Sequence, residues 1–125
     1  MKINRSILGL ALLVTATPAL AGPGDMSVAT FLSKVDGLKT KGMMAMFSGD
    51  IKVLKAEGMA AGQAYKQRLA AERAQGRPSS CPPKGSTINS NQLIAHLNTY
   101  APAARPATSM KTAFADYFIK TWPCR

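Results

Sequence analysis

The chain has only two cysteines, and each lies against proline: Cys81 opens the stretch CPPKG, and Cys124 is next to last, in TWPCR. Prolines 82, 83 and 123 stop helices at both places and stiffen the backbone around the two thiols. Whether such a pair is a staple or a redox centre depends on the compartment the chain meets. The N-terminus speaks to that. MKINRSILGLALLVTATPALA has a basic start (Lys2, Arg5), a short apolar run from Ile7 to Val14, a helix-breaking Pro18 and the small-residue sequence Ala19-Leu20-Ala21. This is the pattern of a secretory signal peptide over residues 1–21, with cleavage expected near Ala21. The apolar run falls well short of the roughly 20 residues that span a bilayer, so a retained anchor is the lesser alternative. The expected product is a periplasmic or secreted chain without a stable membrane anchor, folded as one domain over residues 22–125.

In an oxidising space Cys81 and Cys124 have one intramolecular pairing open to them. The bond would close a loop of about 44 residues and stabilise the fold by roughly 4 kcal/mol in the chain-entropy account. That is a large share of the roughly 5–15 kcal/mol that holds a domain together. The pair therefore reads as a clasp between the end of the chain and the loop that begins its second half. A redox centre would need an activated thiolate, commonly in a C-x-x-C arrangement, and neither cysteine has a cysteine neighbour.

Apolar spacing predicts an all-α domain, a small bundle of about four to five helices with one disulfide. Val28, Phe31, Leu32, Val35 and Leu38 fall on one face of a helix over 27–39, with Ser27 as N-cap and Met26 and Phe31 placed for a hydrophobic staple. Thr40-Lys41-Gly42 punctuates, and GMMAMF reads as a short helical turn. A long helix from Asp50 to about Gln75 carries Ile51, Leu54, Gly58, Ala61, Tyr65 and Leu69 on one stripe, the two glycines at 58 and 62 allowing another helix to come close. Residues 76–89 are a Pro/Gly/Ser loop. A helix capped by Ser90 or Asn89 presents Leu93, Ile94, Leu97 and Tyr100, and a last helix over 110–121 presents Met110, Ala113, Phe114, Tyr117 and Phe118. No β pattern and no repeat is present.

Catalysis has little to draw on. His96, the one histidine, borders an apolar face and reads as a rim residue rather than a general base. The six acidic residues are scattered, and the glycines follow no strand that could form a phosphate loop. An enzyme is not expected, nor is any cofactor. Met43, Met44 and Met46 cluster; thioethers bind Cu(I), which makes them a weak candidate copper site. The spacing of Met43 and Met46 equally suits packing into a core, and that reading ranks first. Removing Lys2 and Arg5 from the total of +10 leaves +8 on residues 22–125. No nucleic-acid motif accompanies the charge, and it is spread over the chain rather than along one amphipathic helix, so an acidic protein partner fits it better than nucleic acid or a lipid surface.

The second half carries a recognisable set of residues: Cys81-Pro82-Pro83, Thr87, Gln92-Leu93, Pro102 or Pro106, Ala113 and Trp122-Pro123-Cys124. In this order it resembles the C-terminal half of the Tai/Rap family of type VI secretion immunity proteins, over about 44 residues. The first half departs from the family, with Met46-Phe47-Ser48-Gly49-Asp50 where a glycine-aromatic-cysteine patch is usual. The resemblance implies a small periplasmic helical domain, often a homodimer, that blocks a secreted cell-wall amidase with a loop or helix. On this chain that element would be the loop 82–90 or the connector 101–109. Lys84, Arg105 and Lys111 are singled out there as partner contacts on charge and expected exposure alone. The competing readings are a periplasmic stress chaperone, a Met-rich copper-binding protein and a helical domain of other role.

Overall fold

The computed structural model describes residues 22–125, and the signal peptide expected at 1–21 lies outside the described residues. Four α-helices and two short 3₁₀ turns follow one another: α1 (Val28–Lys41), a 3₁₀ turn (Gly42–Phe47), α2 (Gly49–Ala74), α3 (Ser90–Asn98), a 3₁₀ turn (Arg105–Ala107) and α4 (Met110–Thr121). The domain is all-α with one disulfide. Its only β-type pairing among the described residues is a single bridge between Ser27 and Ser109.

Each helix starts on a side chain that accepts a backbone N–H left over at a helix N-terminus. Ser27 accepts from Thr30, Ser48 from Asp50 and Ser109 from Thr112. Asn89 and Gln92 form a reciprocal capping box on α3. Two boundaries differ from the sequence reading. α1 runs through Thr40 to Lys41 and stops where Gly42 takes φ 56°, a left-handed value that suits glycine. Ser48 rather than Asp50 caps α2, which leaves Asp50 in the first turn, where its charge suits the helix dipole, and in an ion pair with Lys34 at 3.2 Å.

The core sits where α2 packs on α4, the most extensive helix pairing in the molecule. Ala61, Tyr65 and Leu69 bury one stripe of α2 four residues apart, and Met110, Ala113, Phe114 and Phe118 bury the facing side of α4. A Cβ at Gly62 would lie 3.3 Å from a Phe114 ring carbon, so this glycine does permit a close approach. Gly58 does not: a Cβ there would meet nothing within 4 Å, and the expectation of a second close approach is corrected, because Gly58 faces open space.

Glu57 is the surprise on this stripe. It is only 9 % exposed, and its Oε2 accepts the backbone N–H groups of Gly24 (2.6 Å) and Met26 (3.4 Å). The segment before α1 is thereby pinned to α2. It also runs beside the start of α4, where Gly24 and Met26 carbonyls accept from Lys111 and Met110 at 3.0 and 2.9 Å. At the other end of the core, Cys81 and Cys124 are joined in the expected disulfide, with Cα atoms 4.9 Å apart. The Cys81 N–H donates to the Trp122 carbonyl at 2.8 Å. Buried Ser80 shares a hydrogen bond with the Tyr65 hydroxyl at 2.5 Å, and the Ser79 hydroxyl and N–H both donate to Glu72. The Ser79 hydroxyl chiefly, with Arg68 beside it, holds the Glu72 carboxyl below its ordinary range.

Candidate functional site

α2 is 26 residues long and α4 only 12. At 1.5 Å per residue these are about 39 Å and 18 Å, so α4 cannot cover the whole apolar stripe of α2. The uncovered part becomes one wall of a groove of about 800 Å³. Leu54, Gly58, Met59 and Gly62 of α2 stand on one side, and Ile88 of the loop with Ile94 of α3 on another. The floor is core: Phe31 and Val35 of α1, Leu93 of α3, and Phe114 and Phe118 of α4, all buried, line it. Gly58 deepens the groove at mid-wall, because no side chain fills the space in front of it.

The charge around this groove has one sign. Lys39 from α1 and Lys55 and Lys66 from α2 are exposed and line it, and the lining contains no aspartate, glutamate, histidine or cysteine. The ion pairs among the described residues join Lys34 to Asp50, Arg68 to Glu72 and Lys111 to Asp25, so none of the three groove lysines is paired. An apolar trough rimmed by free cations can hold a ligand with an apolar body and negative charge.

The residues singled out from sequence are distributed as follows. Lys84 is exposed in the loop 76–89, a few residues before Ser86–Ser90, which form a lip of the groove. Arg105 closes the end of α3: its Nε donates to the Tyr100 carbonyl at 3.0 Å and a terminal nitrogen donates to the Asn98 carbonyl at 3.2 Å. Lys111 pairs with Asp25 at 2.9 Å, and its stem packs against Gly24. That ammonium, with the Gly22 N–H, holds the Asp25 carboxyl below its ordinary range. The three therefore form no single patch, and two of them are engaged within the fold.

The methionine cluster requires a correction. Met43, Met44 and Met46 are 87, 67 and 77 % exposed, and Phe47 beside them is 84 % exposed. They do not pack into the core. The 3₁₀ turn that carries them has no buried residue.

His96 is corrected too, from rim to interior. It is 9 % exposed, and its Nε2–H donates to the Ala113 carbonyl at 2.8 Å. Burial is the main cause that holds its pKa below the ordinary 6.5. Tyr100, stacked edge-on against it, donates its hydroxyl to Asp116 at 2.5 Å; burial first, then this carboxylate, raises the Tyr100 pKa. These contacts tie α3 to α4.

Among the described residues no group of three or more His, Cys, Asp or Glu side chains is arranged to hold a metal, and no helix is long and apolar enough to cross a membrane. No protein-family model matches the chain, and no curated protein or solved structure matches it.

Sequence reasoning did not locate the groove. The signals were Gly58, a gap in an otherwise apolar stripe, and lysines flanking that stripe at 55 and 66.

Proposed function

We propose that this chain is an exported binding protein that holds its ligand or partner in the groove between α1, α2 and α3. One observation carries the reading: exposed Met59 and half-buried Leu54, Ile88 and Ile94 line, over a core floor, a trough whose only charged lining residues are the unpaired Lys39, Lys55 and Lys66. Apolar surface of this kind in a small soluble domain marks a place where something else binds. Export is supported by the signal-peptide pattern of residues 1–21 and by a disulfide, which an oxidising compartment preserves.

The narrower form of the proposal is an immunity-type inhibitor of a secreted cell-wall amidase. It draws on the resemblance over Cys81–Cys124, and it is supported by the position of the loop 82–90, which presents exposed Lys84 next to the lip of the groove. The test is enzymatic. The protein is added to the exported cell-wall amidases of its own organism and of its competitors, and peptidoglycan cleavage is followed. Stoichiometric inhibition of one amidase, weakened by Lys84→Glu, is expected. If none is inhibited, the amidase reading falls and the general binding reading remains to be judged by groove variants.

A further inference from the structure

We infer that the groove is a site for a single-chain anionic amphiphile: a fatty acid, or another molecule with one acyl chain and one anionic head. The inference deepens the binding function proposed above and rests on it.

The size of the groove argues for a small molecule. At about 800 Å³ it lies within the roughly 300–1,000 Å³ of small-molecule sites, which are mostly apolar with a few placed polar groups. A methylene chain is thin enough to lie on Phe31, Leu93 and Phe114.

The charge argues for an anion. Three lysines and no acid line the groove, and lysine stems can lie along an apolar wall while their ammonium groups stay in water. Lys55 and Lys66 are eleven residues apart on one helix, about 16 Å along its axis. Cations near both ends of the trough let a head group dock at an end while the chain runs along α2. Met59 and Ile88, on opposite walls, give flexible apolar lips.

Gly58 supplies the decisive variant. A Cβ added there points into empty space lining the groove, with no other atom within 4 Å. Leucine at this position favours the helix over glycine, so Gly58→Leu fills the trough without loosening the fold. Gly58→Ala gives the same helical benefit and leaves most of the volume open.

The experiment is a calorimetric titration of the purified, oxidised protein with myristate, run beside 1-tetradecanol and phosphatidylglycerol vesicles. One myristate per chain is expected, with lysophosphatidylglycerol competing for the same site and the uncharged alcohol binding more weakly. Gly58→Ala should bind as the parent does. Gly58→Leu should lose saturable binding while melting no lower than the parent, and Ile88→Lys should lose it as an independent variant. Replacing Lys39, Lys55 and Lys66 together by glutamine should weaken myristate about two- to tenfold, as expected from removing exposed charge contacts. The proposal is overturned if the parent ignores myristate, if Gly58→Leu binds it unchanged, or if only vesicles bind, which would make the protein a surface binder. Failure here with amidase inhibition intact would sink the amphiphile and leave the binding function standing. Loss of both would remove the proposed function itself.

Discussion

The two ends of α2 differ although one helix carries both. From Gly49 to Ala56 no residue is buried, and the turn before it exposes four large apolar side chains. From Glu57 onward, Glu57, Ala61, Tyr65 and Leu69 are buried in strict four-residue steps against α4, the N-terminal segment and the disulfide-bearing loop. Helical periodicity is the same in both parts, and only the second is packed to full burial. The difference teaches that stability is concentrated in one part of the element. The second part holds the fold along its α4-facing stripe, while the groove runs across both parts, from Leu54 to Gly62.

The strongest way to break this division is at the tethered end. Replacing both Cys81 and Cys124 by serine should cost about 4 kcal/mol, a fall of roughly 15–30 °C in melting temperature for a domain of this size. Hydrogen exchange should rise in α4 and in residues 61–74 more than in residues 49–56, which have little protection to lose. A uniform rise along α2 would contradict that concentration.

A paired substitution sharpens the comparison at two glycines one turn apart. Gly62→Leu must displace the Phe114 ring, and should destabilise by about 1–3 kcal/mol in chemical denaturation. A Cβ at Gly58 meets nothing within 4 Å, so Gly58→Leu can extend into the groove and should be neutral or stabilising by up to about 1 kcal/mol. Equal losses at both positions would mean the groove closes in solution.

Acid should act through the packed region as well. His96 has a folded pKa below its ordinary 6.5, so the unfolded chain takes up its proton first. Its contribution to stability is therefore complete above about pH 6.5 and declines as pH falls toward the lower folded value. Glu72 and Asp25, both held below their ordinary ranges, add losses at lower pH still, as their carboxylates protonate. Denaturation curves between pH 7.5 and 5 should show the first decline, and His96→Gln should flatten it; a profile unchanged by that substitution would disprove the assignment. The smallest effect belongs to the bare end: Met43→Ser with Phe47→Ser should change stability by no more than about 0.5 kcal/mol.

What could be read from the sequence follows the same line. α4 runs over Met110–Thr121 as its spacing predicts, and the caps at Ser27 and Asn89 lie where serine and asparagine precede apolar periodicity. These are local signals. Glu57 and His96 were not legible, because the atoms that make their burial tolerable are far away in the chain: the Gly24 N–H for one, the Ala113 carbonyl for the other. The groove was not legible for a related reason. Spacing tells which side chains could be covered, as it did for Met43 and Met46, but not whether any element is long enough to cover them. The clasp was legible because two cysteines leave a single intramolecular pairing.

That clasp also makes the molecule a ring with a tail. The backbone from Cys81 to Cys124, closed through sulfur, contains all of α3 and α4. A protease that cuts once inside the ring merely opens it, and the two pieces stay covalently joined until the disulfide is reduced. A single cut in the exposed Met43–Phe47 turn lies in the tail and severs α1 outright. The surface most open to the surroundings thus lies in the part of the chain where a single nick divides the protein.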